Sequence, residues 1–371
     1  MLQVGKWHRY RESYYGESNQ VMPGRDCMEV LSSPTNVIWD VTYACPLRCI
    51  HCYSESGRRP TRQLRHEEQV KVADAIIEMR PQMVAIAGGE PLSVKGIFEV
   101  AERMSRSGIH VMCYTGGWPL RRSMVDDLVR SCDSVKVSLD GATAGVHDRV
   151  RGRNGSFERA LAALGLLDEA ARDAGGAGFA FGIDTVVVRS NFHQLEDICT
   201  TIAPRFPALG SLDFGAVVPA GLASRRGFEE RELLSEEQVR LMGGAALERR
   251  LRSLAPPSVR VTCTDNLVLQ MNPRQFARGC DFAALQIEPD GEVRAMPVYE
   301  GTVGSLLEEP WHVLWRRATQ RWTDPFVVEA LSSVRTMAEW ADATRRIDYH
   351  FGSDSVRARI DRRPDFLGVT G

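Results

Sequence analysis

From about residue 37 onward, short apolar runs rich in β-branched residues alternate with longer stretches whose apolar residues recur three and four apart. NVIWDVT precedes the helical pattern RHEEQVKVADAIIEMR, and QMVAIAG precedes VKGIFEVAERMSRSG. IHVMCYT leads to PLRRSMVDDLVRS, with Pro119 where a helix opening tolerates it. SVKVSLDG leads to SFERALAALGLLDEAARDAG, for which Ser156 offers a capped start. FAFGIDTVVV leads to FHQLEDICTTIAPRF, and LGSLDFGAVV closes the series. Six strand–helix alternations predict an α/β fold: a parallel sheet with helices packed outside it, curled as a partial (β/α)6 TIM-like barrel over residues 37–218.

The pattern then changes twice. Residues 219–260 are charged and helical, a solvated linker in expectation. Beyond Pro256-Pro257, SVRVTC, FAALQIEP, GEVRAMPVYE and GTVGSL read as short strands around a turn at Asp290-Gly291, followed by a helical tail. Residues 261–371 are therefore expected to form a small α+β C-terminal domain, and residues 1–36 an N-terminal extension. The Arg-rich end, with Arg345, Arg346, Arg357, Arg359, Arg362 and Arg363 among aspartates, reads as a solvated surface.

Composition narrows the setting. The 371 residues carry 46 basic and 48 acidic side chains, a net charge of −2, which gives no general drive toward nucleic acid or an anionic membrane. No apolar run reaches membrane-spanning length, and the N-terminus lacks the apolar core of a signal peptide, so a cytoplasmic setting is expected. Of nine cysteines, Cys27, Cys113, Cys132, Cys199, Cys263 and Cys280 are scattered, as buried apolar cysteines in a reducing compartment are.

The other three crowd into CPLRCIHC, as Cys45, Cys49 and Cys52, directly after the first predicted strand. A disulfide is the weakest account of such a cluster in a reducing compartment. Structural zinc takes four ligands, usually in two separated pairs, and no second close pair occurs. Three thiolates on one loop suit a 4Fe–4S cube with one iron left open. The loop also falls where parallel α/β barrels place their active sites, at the C-terminal end of a strand.

CPLRCIHCYS after WDVTYA resembles the cluster loop of the radical S-adenosylmethionine (SAM) superfamily, and more narrowly its SPASM/twitch branch. AGGEPL, VSLDGATAGVHDRVRG and TVVVRSN resemble further segments of that family in order and spacing. The resemblance implies that Cys45, Cys49 and Cys52 hold one 4Fe–4S cluster, with Gly88, Gly89 and Glu90 at the methionine amino group of SAM. It implies SAM contacts for Ser138 and Arg151, the latter at the carboxylate, and places His51 and Asn191 beside the adenine. The implied chemistry is one-electron reductive cleavage of SAM followed by hydrogen abstraction from a substrate, with a flavodoxin- or ferredoxin-type electron donor as partner.

SPASM members carry auxiliary-cluster cysteines in the C-terminal domain. Here Cys280 and Gly291 fall on that spacing, but Met296 holds the second ligand position. A degenerate SPASM/twitch-like domain with a single cluster in the chain is the expectation, and with it a redox-neutral outcome: epimerisation, elimination, decarboxylation or rearrangement. Cys263 is a candidate hydrogen donor, and Tyr299 or Glu300, on the strand after Met296, a candidate substrate contact; a regular strand presents only one of the two. Because residues 1–36 are short for a peptide-recognition domain, the expected substrate is a small natural-product molecule of sugar, aminoglycoside or nucleoside type. A precursor peptide is the alternative, and a non-catalytic zinc module the reading from another class.

Overall fold

A computed structural model describes residues 32–60, 62–175, 178–273 and 283–368 of the chain. The predicted strands appear as β1 (Asn36–Thr42), β2 (Met83–Gly88), β3 (His110–Thr115), β4 (Ser134–Ser138), β5 (Ala180–Val187) and β6 (Ser211–Ala216), all mutually parallel. Between them run α1 (His66–Met79), α2 (Ile97–Arg106), α3 (Arg122–Ser131), α4 (Ala144–Arg151) and α5 (Ser156–Asp173). The connection after β5 is less regular than its pattern predicts: a π-helical turn at Ile198–Ile202 precedes a 3₁₀ turn containing Pro204, which cannot continue an α-helix. The start of α5 is not capped by Ser156 itself. The Asp148 carboxylate accepts from the amides of Gly155 and Phe157 and from Ser156 Oγ, satisfying donors that the helix start leaves open.

The barrel sheet is longer than six strands. Within residues 219–260, α6 (Glu236–Met242) and α7 (Ala245–Leu254) lead to β7 (Arg260–Thr264), which pairs parallel with β6. On the other edge, β8 (Ala284–Ile287) pairs parallel with β1, followed by antiparallel β9 (Glu292–Arg294) and β10 (Thr302–Ser305). Among the described residues the result is one ten-stranded sheet in the order β10-β9-β8-β1-β2-β3-β4-β5-β6-β7. The expected domain boundary after residue 260 falls at the first residue of β7, and the segment beyond it supplies both edges. The tail folds as α8 (Trp311–Trp322), α9 (Pro325–Ser332), α10 (Met337–Phe351) and α11 (Asp354–Asp361).

Strand alternation separates two faces. Val37, Trp39, Val111, Val135, Val137, Ile183, Leu212 and Val261 join the helix-covered core. At about 2 kcal/mol for each fully buried aliphatic side chain, this face holds the sheet to its helices. The intervening residues line the bore. There Ile38, Met83, Ala85, Met112 and Tyr114 form a small apolar cluster of their own on β1–β3. On β4–β7 the same face is polar: Lys136, Ser138, Asp184, Ser211, Asp213, Arg260 and Thr262.

Candidate functional site

The cysteine loop leaves the C-terminal end of β1 and is held from several sides. Arg48 and Ile50 amides donate to Arg151 and Val150 carbonyls at the end of α4, and the Leu222 amide donates to the Cys52 carbonyl. All three thiols are free and partly exposed. Amide donors already address two of them: Leu47 N to Cys45 Sγ at 3.4 Å and Ser56 N to Cys52 Sγ at 3.3 Å. Burial pushes the Cys45 thiol up to about 12, and Cys49 up to about 11 despite the neighbouring Arg151 guanidinium. Thiols this reluctant to ionise become thiolates when a metal displaces their protons. No set of three or more His, Cys, Asp or Glu side chains among the described residues is arranged to hold a metal ion by itself. Three thiols spread along one loop instead suit an iron–sulfur cube, in which each iron takes a single thiolate.

Gly88 and Gly89 press the β2 turn against this loop. Gly88 has φ +108°, open to glycine, and a Cβ on Gly89 would run into the Ala44 carbonyl next to Cys45. The Gly89 amide donates to Thr42 O at 2.6 Å and the Glu90 amide to Ala44 O at 2.9 Å. The Glu90 carboxylate accepts from Thr115 Oγ1 (2.8 Å), Gly116 N (2.9 Å) and Leu92 N (3.2 Å), while burial lifts its pKa to about 7. Three acceptor positions are filled, and a carboxylate has about four, so one remains for an ammonium group.

His51 and Arg151 meet on a residue that sequence reasoning did not single out, Asp140. His51 Nε2 lies 3.0 Å from Asp140 Oδ2; Arg151 Nη2 donates to Oδ1 at 3.0 Å, and its Nε lies 2.7 Å from Oδ2. Burial alone would raise Asp140, but Arg151 and His51 outweigh it and hold the carboxyl well below its usual range. Most of the Arg151 fork is thus committed within the protein; its Nη1 faces Cys49 Sγ at 3.8 Å, placing positive charge beside a cluster ligand. Asn191 is committed as well. Its amide group donates to the Asp140 and Val186 carbonyls and accepts from Val188 N, so it braces the chain after β5 rather than presenting a free amide. Ser138 is half-buried at the end of β4, in register with Asp184.

The three candidate catalytic residues do not reach this site. Thr262 Oγ1 bonds Asp213 on the bore side, so Cys263 points the other way, and it packs against the helix-side core. Tyr299 and Glu300 lie in the turn between β9 and β10, not on a strand; the chain bends at Val298, with φ +64°. The Tyr299 hydroxyl donates to Gln270 O at 2.9 Å and accepts from Trp340 Nε1 at 2.8 Å, fully enclosed. Glu300 lies within 3.4 Å of Arg59, 3.2 Å of Arg294 and 2.5 Å of Arg359, which against the effect of burial lower its pKa to about 2. Such a carboxylate is an ion-pair partner, not a base. Met296 is buried in the apolar core, and Cys280 lies outside the described residues.

Sequence reasoning also missed the polar half of the bore. Lys136 reaches over Gly182, which lacks a side chain, to Ser211 Oγ and Asp213. Arg260 Nη2 lies 3.2 Å from Asp213 Oδ1. Half-buried Asp184 has its pKa raised to about 7 by burial and by Asp213, opposed by Lys136 and Arg151. The available signal was the repeat of polar residues two apart within otherwise apolar strands. Between its ordinary value of 3.8 and about 7, native Asp184 keeps a proton that the unfolded chain has released. The native state therefore loses stability as pH rises through that window. Asp184→Asn is expected to remove this loss, so that its advantage in urea midpoint over the wild type grows between pH 5 and pH 8.

Residues 39–198 match the profile of the Radical SAM superfamily. The chain carries a radical SAM domain. The Mycobacterium ulcerans mycofactocin maturase MftC is 37% identical over 180 residues, 48% of this chain and 46% of that one. The Methanosarcina barkeri AdoMet-dependent heme synthase is 31% identical over 215 residues, 57% of each chain. The chain thus spans about half the length of the curated relatives it matches. SuiB of Streptococcus suis, in a crystal structure with bound SAM, superposes with TM-score 0.62 over 88% of this chain and 77% of its own at 14% identity, sharing the fold. The radical SAM domain is the α/β partial barrel described above, and its cofactors are a 4Fe–4S cluster and SAM. No helix among the described residues is long and apolar enough to cross a membrane.

Proposed function

We propose that this chain is a radical SAM enzyme of the maturase type, acting on a precursor peptide. The 37% identity to a maturase through the radical SAM domain carries the reading and turns it from the small natural-product substrate that the short N-terminal segment favoured. The similarity to a heme synthase supports a second reading, a tetrapyrrole as substrate.

Cys45, Cys49 and Cys52 would hold the cluster, and Gly88, Gly89 and Glu90 the amino end of SAM, with Ser138 next along the bore. Bound there, the two cofactors supply one-electron chemistry that removes a hydrogen atom from a substrate. The chain's own residues do the rest. Glu90 takes the ammonium group in its remaining acceptor position. Asp140 fixes His51 and Arg151, and Arg151 offsets negative charge at Cys49. Ile38, Met83, Ala85, Met112 and Tyr114 keep water from one side of the bore, while Asp184 and Asp213 give the other side groups that hold a polar substrate.

Transfer of deuterium into 5′-deoxyadenosine tests the substrate. Label is expected from a deuterated precursor peptide; label arriving only from a sugar, nucleoside or porphyrin overturns the peptide assignment. The single cluster, a proposal that rests on Met296, has its own measurement. Reconstituted protein is expected to hold about four irons per chain, and a reproducible eight overturns it.

A further inference from the structure

Guanidinium groups cap five carbonyls of the cysteine loop. Arg48 Nη1 donates to Cys45 O (2.8 Å) and Leu47 O (2.7 Å), Arg153 Nη1 to Pro46 O (2.6 Å), Arg58 Nη2 to Arg48 O (2.7 Å) and Arg225 Nη2 to Ile50 O (3.3 Å). Arg48, Arg58 and Arg153 are exposed, and their partners here are carbonyls rather than carboxylates. Arg153 also stacks 3.8 Å over the half-exposed Trp118 ring, and exposed Arg159 approaches the same ring at 5.5 Å. Exposed Arg48, Arg58 and Arg153 on the loop's carbonyls, with Arg153 and Arg159 against Trp118, therefore form a positively charged rim beside the loop that carries the three cysteines. Buried Glu55 is already taken by Arg359 and Arg363, and Asp148 by the start of α5, so neither neutralises the rim. The chain's net charge is −2, so this positive surface is local.

The geometry points to this rim as the docking surface for a small acidic protein that carries one electron. The inference rests on the radical SAM reading, which requires an electron source. Three features favour that partner. Arginine and aromatic side chains are the groups that dominate protein interfaces. Charge on a rim steers a partner of opposite sign and sets the rate of encounter. A carrier seated here also stands against the backbone of the loop that holds the cluster ligands. A substrate, by contrast, enters the bore.

The test compares two reductants on the reconstituted holoenzyme: dithionite, which needs no docking, and a reduced flavodoxin of strongly acidic charge. Formation of 5′-deoxyadenosine with flavodoxin is expected to fall steeply with added salt, while the dithionite rate changes little. Arg159→Glu, on the exposed face of α5 and not bonded to the loop, is expected to raise the apparent KM for flavodoxin about fivefold or more with the dithionite rate unchanged. Arg159→Lys keeps the charge and is expected to stay within about twofold of wild type. A flavodoxin rate indifferent to salt and to Arg159→Glu overturns the docking surface, and so does a parallel loss with both reductants in that variant. Failure of the wild type to cleave SAM even with dithionite overturns the radical SAM reading itself.

Discussion

Cys49→Ala is expected to lower bound iron from about four per chain to near zero and to reduce 5′-deoxyadenosine formation to background. A cube held by three thiolates has no spare cysteine among its ligands, and His51 Nε2 is held by Asp140. Cys45→Ala and Cys52→Ala are expected to match it. The controls are Cys113, Cys132 and Cys199, each buried in the helix-side core. Alanine there removes one sulfur from a packed site, at a cost of about 1 kcal/mol, and leaves iron content intact. Iron and sulfide analysis of the anaerobically reconstituted variants separates the two groups directly. Loss of iron in the core variants, or its retention in Cys49→Ala, would remove the loop from the cluster.

Arg294→Met is expected to destabilise the fold by about 3 to 5 kcal/mol, read as a lower urea midpoint. Arg294 is fully buried on β9, and its fork is used to the full. Nε donates to Glu288 Oε1 at 2.7 Å, Nη1 to Tyr299 O at 3.2 Å, and Nη2 lies 3.2 Å from Glu300 Oε1 and 3.4 Å from the Tyr43 hydroxyl. Burial works against its charge, but the Glu300 and Glu288 carboxylates outweigh that and keep it firmly protonated. Removing it leaves Glu288 and Glu300 inside the protein with Arg59, and for Glu300 also Arg359, as counter-ions. Arg294→Lys is expected to recover only part of the loss, because one ammonium with three donors cannot reach the four acceptors that the guanidinium fork spans. Tyr43 stands two residues before Cys45, so the same variant is also expected to loosen the cysteine loop. A midpoint within about 0.5 kcal/mol of wild type would show that this network does not support the fold.

The strands of the barrel were legible because each is a local pattern. NVIWDVT reads as a strand from seven residues alone, and β1 occupies those seven. The cysteine triplet and the Gly88-Gly89-Glu90 turn were legible for the same reason, each lying within one short segment, whereas Asp140 was not, because it meets His51 only across 89 residues of chain. Tyr299 and Glu300 misled because the positive φ at Val298 ends the strand, and nothing in the local pattern announces that turn. The Arg-rich tail misled for a different reason. Interleaved charges read as solvated, yet Arg359 and Arg363 fold back onto Glu55 in the cysteine loop, 304 and 308 residues away.

The sequence by itself thus determined the α/β repeat, the loop that can hold a cluster, and the glycine turn that closes on it. These follow from periodicity and spacing within a few residues, where backbone geometry leaves little choice. Only the tertiary structure decided which polar groups meet. Lys136, Asp184, Asp213 and Arg260 stand on four different strands, and their sharing of one bore depends on strand order and register. A polar residue on a strand looks the same whether it faces solvent or the bore of a curved sheet. Curvature of the sheet, a property of the whole chain, makes that difference.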